Sequence, residues 1–220
     1  MTARLYPLFL NLKDRMCVVV GGSEIAEHKT RELLDAGARV RLIASTATDQ
    51  ISAWAKSGKL QWEARAYERH DLREVFLVVS VADKETNARV FSDAEAQQTF
   101  CNSVDNTAHC NCYASAVLRR GPLQIAISTA GNSPALAQRL RKKLEEQFDE
   151  KYGPWVRKLG EIRNKMFQDK ALNAETRRAM LHEQASAASF EAFRLSYECE
   201  SHNSAGCTGD SRKSSRKGML

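Results

Sequence analysis

Short apolar runs and longer amphipathic stretches alternate along the first hundred residues. Residues 15–20 hold Cys17, Val18, Val19 and Val20 in an unbroken apolar run, the pattern of a strand buried on both faces of a parallel sheet. After Gly21 and Gly22, the residues Ile25, Ala26, Leu33 and Leu34 recur at helical spacing and predict a helix over about 24–36. The same reading gives a strand at 39–43, a helix at about 48–57 and a strand at 60–66, with Gly37 and Gly58 marking two helix ends. Val75–Val81 is the next apolar run, Glu85–Gln98 reads as a helix, and Phe100–Val104 as a fifth short strand. Such alternation predicts an α/β fold with a parallel sheet and right-handed crossovers. A ligand is then expected at the carboxyl ends of the strands, which are Gly21 to Ser23, Ala44 to Thr46, Val81 to Asp83 and Asp105 to Thr107.

The pattern changes after residue 113. Ala114–Leu118 and Leu123–Ser128 read as two strands separated by Arg119-Arg120-Gly121-Pro122, with no helix between them. In Gly131-Asn132-Ser133-Pro134, Ser133 stands as an N-cap and Pro134 as the first residue of a charged helix to about Phe148. Lys151 to about Tyr197 is helical in pattern, with Trp155, Leu159, Ile162 and Met166 spaced as core positions of a small helical domain. After Cys199 the chain is small, polar and basic, as a disordered tail would be. The expected organisation is therefore a nucleotide-type domain at 1–113, strands and a connecting helix at 114–147, a helical domain at 148–198 and a tail at 199–220.

Composition narrows the function classes. At 220 residues with 43% hydrophobic content the chain has ample core. No run reaches the roughly 18 apolar residues of a membrane span, and Met1 to Asn11 lacks a signal peptide's apolar core. A cytoplasmic protein with no membrane partner is expected. Of the net charge of +6, half lies in the last eleven residues, where Arg212, Lys213, Arg216 and Lys217 face only Asp210. The remaining charge suits a polyanionic small molecule and not a nucleic acid. The six cysteines lack the spacing of a disulfide framework, so reduced thiols are expected. His109-Cys110-Asn111-Cys112 has no second ligand pair at zinc spacing, and no resident metal is expected.

The turn after the first strand carries the chemistry. Gly21, Ser23 and Ala26 fit the pattern G-x-G-x-x-G/A with serine in place of the middle glycine. Two readings stand: a seat for a dinucleotide pyrophosphate at a helix N-terminus, or an ordinary tight strand-to-helix turn. Serine is tolerable if its φ is negative or its hydroxyl meets phosphate. Under the first reading the cofactor contacts are Gly21, Gly22, Ser23, Glu24 and Ile25, then Ala44 and Ser45, then Val81 and Ala82. The second strand ends in Ser45 where an acidic residue is common, and Arg39 and Arg41 precede that end, which favours NAD over NADP.

Together these segments resemble the precorrin-2 dehydrogenase / sirohydrochlorin ferrochelatase family of the siroheme synthase N-terminal type, over about residues 5–195. The resemblance rests on Tyr6-Pro7-Leu8-Phe9-Leu10, Val-Val-Gly-Gly with Ala26-Glu27-His28-Lys29, Phe100-Cys101-Asn102 to Asp105, and Arg119-Arg120-Gly121-Pro122-Leu123 through Ala126-Ile127-Ser128-Thr129-Ala130-Gly131-Asn132-Ser133-Pro134-Ala135. It implies a Rossmann-like sheet, a dimerisation strand pair and a C-terminal helical domain in a homodimer. It implies NAD-dependent oxidation of precorrin-2 to sirohydrochlorin and, in some members, Fe²⁺ insertion as a second reaction. Asp105 matches the family's aspartate, and the resemblance implies that it is the general base and not a merely loop-capping aspartate, with His109 the neighbouring candidate for proton shuttling. The octacarboxylate tetrapyrrole calls for cationic and N–H donors, here Arg119, Arg120, Ser128, Thr129, Gly131, Asn132 and Ser133, with Arg139, Lys142 and Lys143 nearby. Ser23, Asn111-Cys112 and Ser115 depart from the family pattern. The competing reading is a non-catalytic NAD or tetrapyrrole sensor on the same fold, and a third, nucleic-acid binding by the tail, has only its charge behind it.

Overall fold

The computed structural model describes residues 5–104 and 106–205, the segment 198–205 as helical backbone only. Strands β1 (Met16–Val20), β2 (Arg39–Ile43), β3 (Gln61–Glu63), β4 (Leu77–Ser80) and β5 (Phe100–Ser103) alternate with helices α1 (Glu24–Asp35), α2 (Asp49–Lys56) and α3 (Lys84–Ala96). They form one parallel sheet in the order β3-β2-β1-β4-β5, the Rossmann-like arrangement the alternation predicts. Central β1 pairs on both sides, Val18 with Arg41 of β2 and with Val78 of β4. Its run is apolar because both faces are covered. Cys17 and Val19 pack with Leu42, Leu77 and Val79 beneath Ala26, Leu33 and Ile51 of α1 and α2. Val18 and Val20 pack with Ile43, Val78 and Cys101 beneath Val90 and Ala94 of α3. Each sheet helix starts on a capped end: Ser23, Thr48 and Asp83 accept from the N–H three residues on.

The chain divides into two compact units, Met1–Ala116 with Ser128–Ala137, and Val117–Ile127 with Gln138–Leu220. The second holds the hairpin strands β6 (Ala116–Arg120) and β7 (Leu123–Ile127), most of α4 (Pro134–Gln147), then α5 (Tyr152–Gln168), α6 (Ala174–Gln184) and α7 (Ala187–Ala205). Its core is aromatic: Tyr152 lies 4.2 Å from Phe190 and Trp155 4.9 Å from Phe190, ring centre to ring centre. Gly153 opens α5 against the hairpin turn, where a Cβ would stand 3.2 Å from the Arg120 carbonyl oxygen.

Four details differ from the sequence expectation. Strand β6 begins two residues late and takes in Arg119 and Arg120, leaving Gly121-Pro122 alone as the turn. Strand β3 stops at Glu63 because the Arg65 N–H turns back to the Glu63 carbonyl at 2.9 Å. Two short 3-10 segments, Arg69–Leu72 and Thr107–His109, were not expected; side chains and not periodicity set them. The single helical run is three helices, the second capped by Asn173, and α7 continues to Ala205, into the segment read as tail. The remainder of that tail, 206–220, lies outside the described residues. Among the described residues no helix is long and apolar enough to cross a membrane. Near the start of the chain Tyr6, Leu8 and Phe9 are 82%, 64% and 65% exposed, an apolar strip without cover.

The loop from β3 to β4 is held by a buried carboxylate. Asp71 is fully enclosed and accepts from Arg65 at 2.9 and 2.6 Å and from the Glu68 N–H at 2.8 Å. Arg65 also bonds Glu63, and Arg41 donates to the Asp71 carbonyl at 2.6 Å. Burial by itself would raise the Asp71 pKa, but the Arg65 guanidinium and the Glu68 N–H outweigh it and hold the carboxyl below its usual range. A carboxyl depressed in the folded state stabilises the fold above its ordinary titration range and loses that contribution as pH falls through and below it. Asp71→Ala should therefore cost about 3 kcal/mol in urea titration at pH 7 by leaving Arg65 and the Glu68 N–H without their carboxylate partner, and the gap to wild type should narrow as pH is lowered below about 4.

Candidate functional site

The ends of β1, β2 and β4 meet through backbone. Gly21 has φ +121°, and a Cβ there would stand 2.3 Å from the Val81 carbonyl oxygen; at Gly22 it would stand 1.9 Å from that of Thr46. Only residues without a side chain permit this approach. The contact is fastened by Gly21 N–H to Ile43 O at 2.9 Å and Thr48 N–H to Gly22 O at 3.2 Å. Ser23, where a middle glycine is usual, has φ −73° and ψ 173°, an extended conformation open to any residue, and its hydroxyl caps the Ala26 N–H at 3.4 Å. The condition set for a serine at this position is met. The exposed Glu24 and Ile25 begin α1 with N–H groups that lack helical acceptors. The nearby Glu27 carboxylate is drawn aside by Thr48 and Arg31, both at 2.8 Å.

Each remaining cofactor candidate sits on the same rim. Ala44 is fixed by its N–H to Glu63 O at 3.2 Å and by Trp62 Nε1 donating to its carbonyl at 3.0 Å, and Ser45 beside it is exposed. Val81 donates to Val20 O at 2.7 Å. Ala82 is held by Asn87, whose side chain accepts from the Ala82 N–H at 3.1 Å and donates to its carbonyl at 3.0 Å; the Ser80 hydroxyl donates to the same Asn87 oxygen at 2.6 Å. Asn87 is buried and was missed by sequence reasoning. Its signal was a polar residue on the inward stripe of α3, in step with Val90 and Ala94. Asp83 caps α3, and hydrogen bonds from the Thr86 N–H and hydroxyl hold its carboxyl below the usual range.

Asp105 lies outside the described residues. Of its neighbours, Val104 donates to Ser80 O at 2.9 Å, while Asn106 caps Ala108 at 3.1 Å and meets His109 Nδ1 at 3.0 Å. His109 stacks on Phe91. The Cys101 and Cys112 thiols are pushed up to about 12 by burial. Among the described residues no group of three or more His, Cys, Asp or Glu is placed to hold a metal.

The turn before α4 belongs to the same unit and lies against the loop after β5. Gly131 has φ +78°, and a Cβ on it would stand 2.3 Å from Thr107 Cγ2. Thr129 accepts from Ser133 N–H through its hydroxyl at 3.1 Å and from Asn132 through its carbonyl at 2.9 Å, Ser128 caps Ala130 at 3.1 Å, and Ser133 caps Leu136 at 3.2 Å. Ser128, Gly131 and Asn132 remain exposed. In the second unit Arg119 is exposed on β6, as are Arg139, Lys142 and Lys143 on α4. Arg120 is committed elsewhere: it donates to Phe148 O at 2.8 Å and Glu145 O at 3.4 Å at the end of α4 and pairs with Glu150 at 3.2 Å. The first unit holds 14 Lys/Arg against 15 Asp/Glu and the second 19 against 12, so the net positive charge belongs to the second. An apolar cavity of about 180 Å³ lined by Leu10, Leu33, Leu77, Val79 and Tyr113 lies against the middle of α1, away from its N-terminus.

Comparison with known proteins agrees with this layout. Residues 8–116 match the family model described as putative NAD(P)-binding, and 120–147 that described as sirohaem biosynthesis protein central. The chain is 38% identical over 173 residues to a siroheme synthase of Shigella sonnei (strain Ss046), covering 78% of this chain and 38% of that protein. It is 42% identical over 156 residues to one of Xylella fastidiosa (strain M12), covering 70% of this chain and 33% of that protein. The chain thus spans 33–38% of the length of these relatives. The solved structure of SirC, precorrin-2 dehydrogenase, superposes with TM-score 0.70 at 27% identity over 88% of this chain and 99% of that one.

Two substitutions test the rim. Gly22→Ala should destabilise the fold by about 2 kcal/mol or more, since its Cβ meets backbone that cannot swing aside. Asn87→Ala should cost about 1–3 kcal/mol by stripping the buried Ser80 hydroxyl and the Ala82 backbone of their partner. Chemical denaturation against wild type checks both.

Proposed function

Because the chain belongs to the precorrin-2 dehydrogenase and siroheme synthase N-terminal family, we propose that it is a cytoplasmic enzyme oxidising precorrin-2 to sirohydrochlorin with NAD⁺. The observation that carries the reading is the close backbone turn at Gly21 and Gly22, which sets the N–H groups that open α1 at the carboxyl edge of the sheet. NAD⁺, when bound, supplies the hydride acceptor. Gly21 through Ile25 hold its pyrophosphate, Ser45 meets the adenosine ribose, and Val81 and Ala82 line the approach to the nicotinamide. The neutral Ala44-Ser45 end of β2, with Arg41 and Arg65 bound to Glu63 and Asp71, favours NAD over NADP.

The proton lost from the macrocycle as its hydride departs goes to the Asp105 carboxylate. The substrate's carboxylates draw on N–H and hydroxyl donors of Ser128, Thr129, Gly131, Asn132 and Ser133 in the first unit. The second unit offers Arg119, Arg139, Lys142 and Lys143 and the larger positive charge. Arg120 acts instead as the cap of α4, which its spent donors support. A homodimer is part of the reading: the hairpin has unpaired strand edges, and Tyr6, Leu8 and Phe9 are exposed. Insertion of Fe²⁺ as a second substrate would use the same carboxylate to receive pyrrole protons.

Under anaerobic conditions wild-type protein with precorrin-2 and NAD⁺ should form NADH and sirohydrochlorin in equal amounts. Asp105→Ala should abolish both signals while its NAD⁺ affinity stays within about threefold of wild type by calorimetry. Undiminished turnover in that variant removes Asp105 from the role. Tetrapyrrole binding by wild type without NADH formation favours the sensor.

A further inference from the structure

The outer edge of the sheet beside Ala44 and Ser45 carries two guanidiniums and two carboxylates. Glu63 ends the edge strand β3 in register with Ile43, and its carbonyl oxygen takes the Ala44 N–H at 3.2 Å. Its side chain therefore starts one residue short of Ala44 and two short of Ser45. Paired residues of neighbouring strands share a face, as do residues two apart on one strand. Arg41, Ile43 and Glu63 thus stand on the face where Ile43 packs with Tyr67 and Leu72. Arg65 turns its guanidinium back to the Glu63 carboxylate, and Arg41 Nη1 lies 3.9 Å from that same carboxylate.

The two carboxylates are not equivalent. Asp71 is fully enclosed and its oxygens are bound by Arg65 and the Glu68 N–H. The Glu63, Arg65 and Arg41 side chains are 25%, 31% and 22% exposed, so solvent and a ligand reach them. Two positive and two negative groups sum to zero, and Glu63 is the negative member at the surface. Without it the two arginines face Asp71 alone, and one net positive charge is left at the edge of β2. Arg41 also keeps donor capacity: Nη2 donates to the Asp71 carbonyl at 2.6 Å, while among the described residues its buried Nε has no hydrogen-bond partner.

NADP differs from NAD by a phosphate on the adenosine 2′ oxygen, which carries close to two negative charges. Dinucleotide domains that accept it place an arginine near the end of the second strand. This chain has arginines at that edge and a carboxylate that cancels them. We infer that Glu63 is the specificity-determining residue for the dinucleotide, its carboxylate neutralising Arg41 and Arg65 and opposing a 2′-phosphate at the end of β2. The inference rests on the reading of the Gly21–Ile25 turn and Ser45 as the seat of NAD⁺.

The test is calorimetric titration of the full chain with NAD⁺, NADP⁺ and adenosine 2′,5′-bisphosphate, which carries the discriminating phosphate without the nicotinamide. Wild type should bind NAD⁺ about tenfold or more tightly than NADP⁺. Glu63→Gln keeps the side chain's size and removes its charge. It should bind NADP⁺ and the bisphosphate about tenfold more tightly than wild type does, with NAD⁺ affinity within about threefold, and the gain should shrink as salt is raised. Glu63→Asp retains the charge and should retain the wild-type preference. If Glu63→Gln does not fold, Glu63→Ser carries the same expectation. A folded neutral variant whose NADP⁺ to NAD⁺ affinity ratio equals that of wild type overturns the inference, whatever its melting temperature. So does a wild type that binds both dinucleotides equally. If wild type binds no dinucleotide, the reading of the turn fails and the role of Glu63 falls with it, an outcome separate from an unshifted ratio in a protein that binds NAD⁺.

Discussion

Everything at the carboxyl edge of the sheet depends on how closely backbone can approach backbone at Gly21 and Gly22. With a Cβ 2.3 Å from Val81 O at one position and 1.9 Å from Thr46 O at the next, neither the loop after β4 nor that after β2 could take its place beside a larger residue. Both loops are therefore specified by what β1 and α1 leave out. The rim's other backbone groups are spent within the protein, the Gly21 N–H on Ile43 O and both Ala82 groups on Asn87. A helix N-terminus opens onto that rim, the element that anionic phosphate groups meet most readily. Ser23 completes the device and does not damage it: its φ is ordinary and its hydroxyl occupies the Ala26 N–H, leaving the two earlier N–H groups of α1 for a ligand.

Rigidity around the rim comes from buried polar residues with every main bond satisfied. Asn87 converts α3 into a clamp on Ala82, and Asp71 with Arg65 ties the crossover from β3 to the end of β2. Each costs desolvation that apolar packing would not, and each is retained where a loop must be held at a strand end. The loop after β5 follows the same principle with weaker material, Asn111 fixing one limb and the Cys110 thiol the other. These side-chain bonds add to backbone ones, Val104 N–H to Ser80 O at 2.9 Å and Asn111 N–H to Cys101 O at 3.0 Å.

The sheet was legible from residues 16–103 because burial on both faces leaves apolar runs in the central strands β1 and β4, and because glycine or a polar cap stands at nearly every junction. The rim glycines were legible for the same reason. Arg119 and Arg120 were misplaced into a turn, since in a two-stranded ribbon exposed on one face charged residues fit the strand as well as the loop; only the three-dimensional packing of Arg120 under the end of α4 distinguishes them. The breaks between α5, α6 and α7 were invisible because Asn173 and Ser186 read equally well as solvent-facing helical positions. Cys110 carries no periodic signal, and Asn87 only that of a polar residue on the inward stripe of α3. Their importance is in partners distant or flanking, and periodicity reports only which side of an element faces the core.

Charge partition completes the account: a near-neutral first unit bearing the rim, and a second unit holding the excess of arginine and lysine suited to a polycarboxylate. The central claim is that the Gly21–Ile25 turn seats the pyrophosphate of NAD⁺. A crystal structure of the protein grown with NAD⁺ tests it most directly. The account predicts pyrophosphate oxygens within hydrogen-bonding distance of the Glu24 and Ile25 N–H groups, directly above Gly22, with the adenosine ribose beside Ser45. A dinucleotide bound anywhere else, with that turn left to solvent, would contradict it.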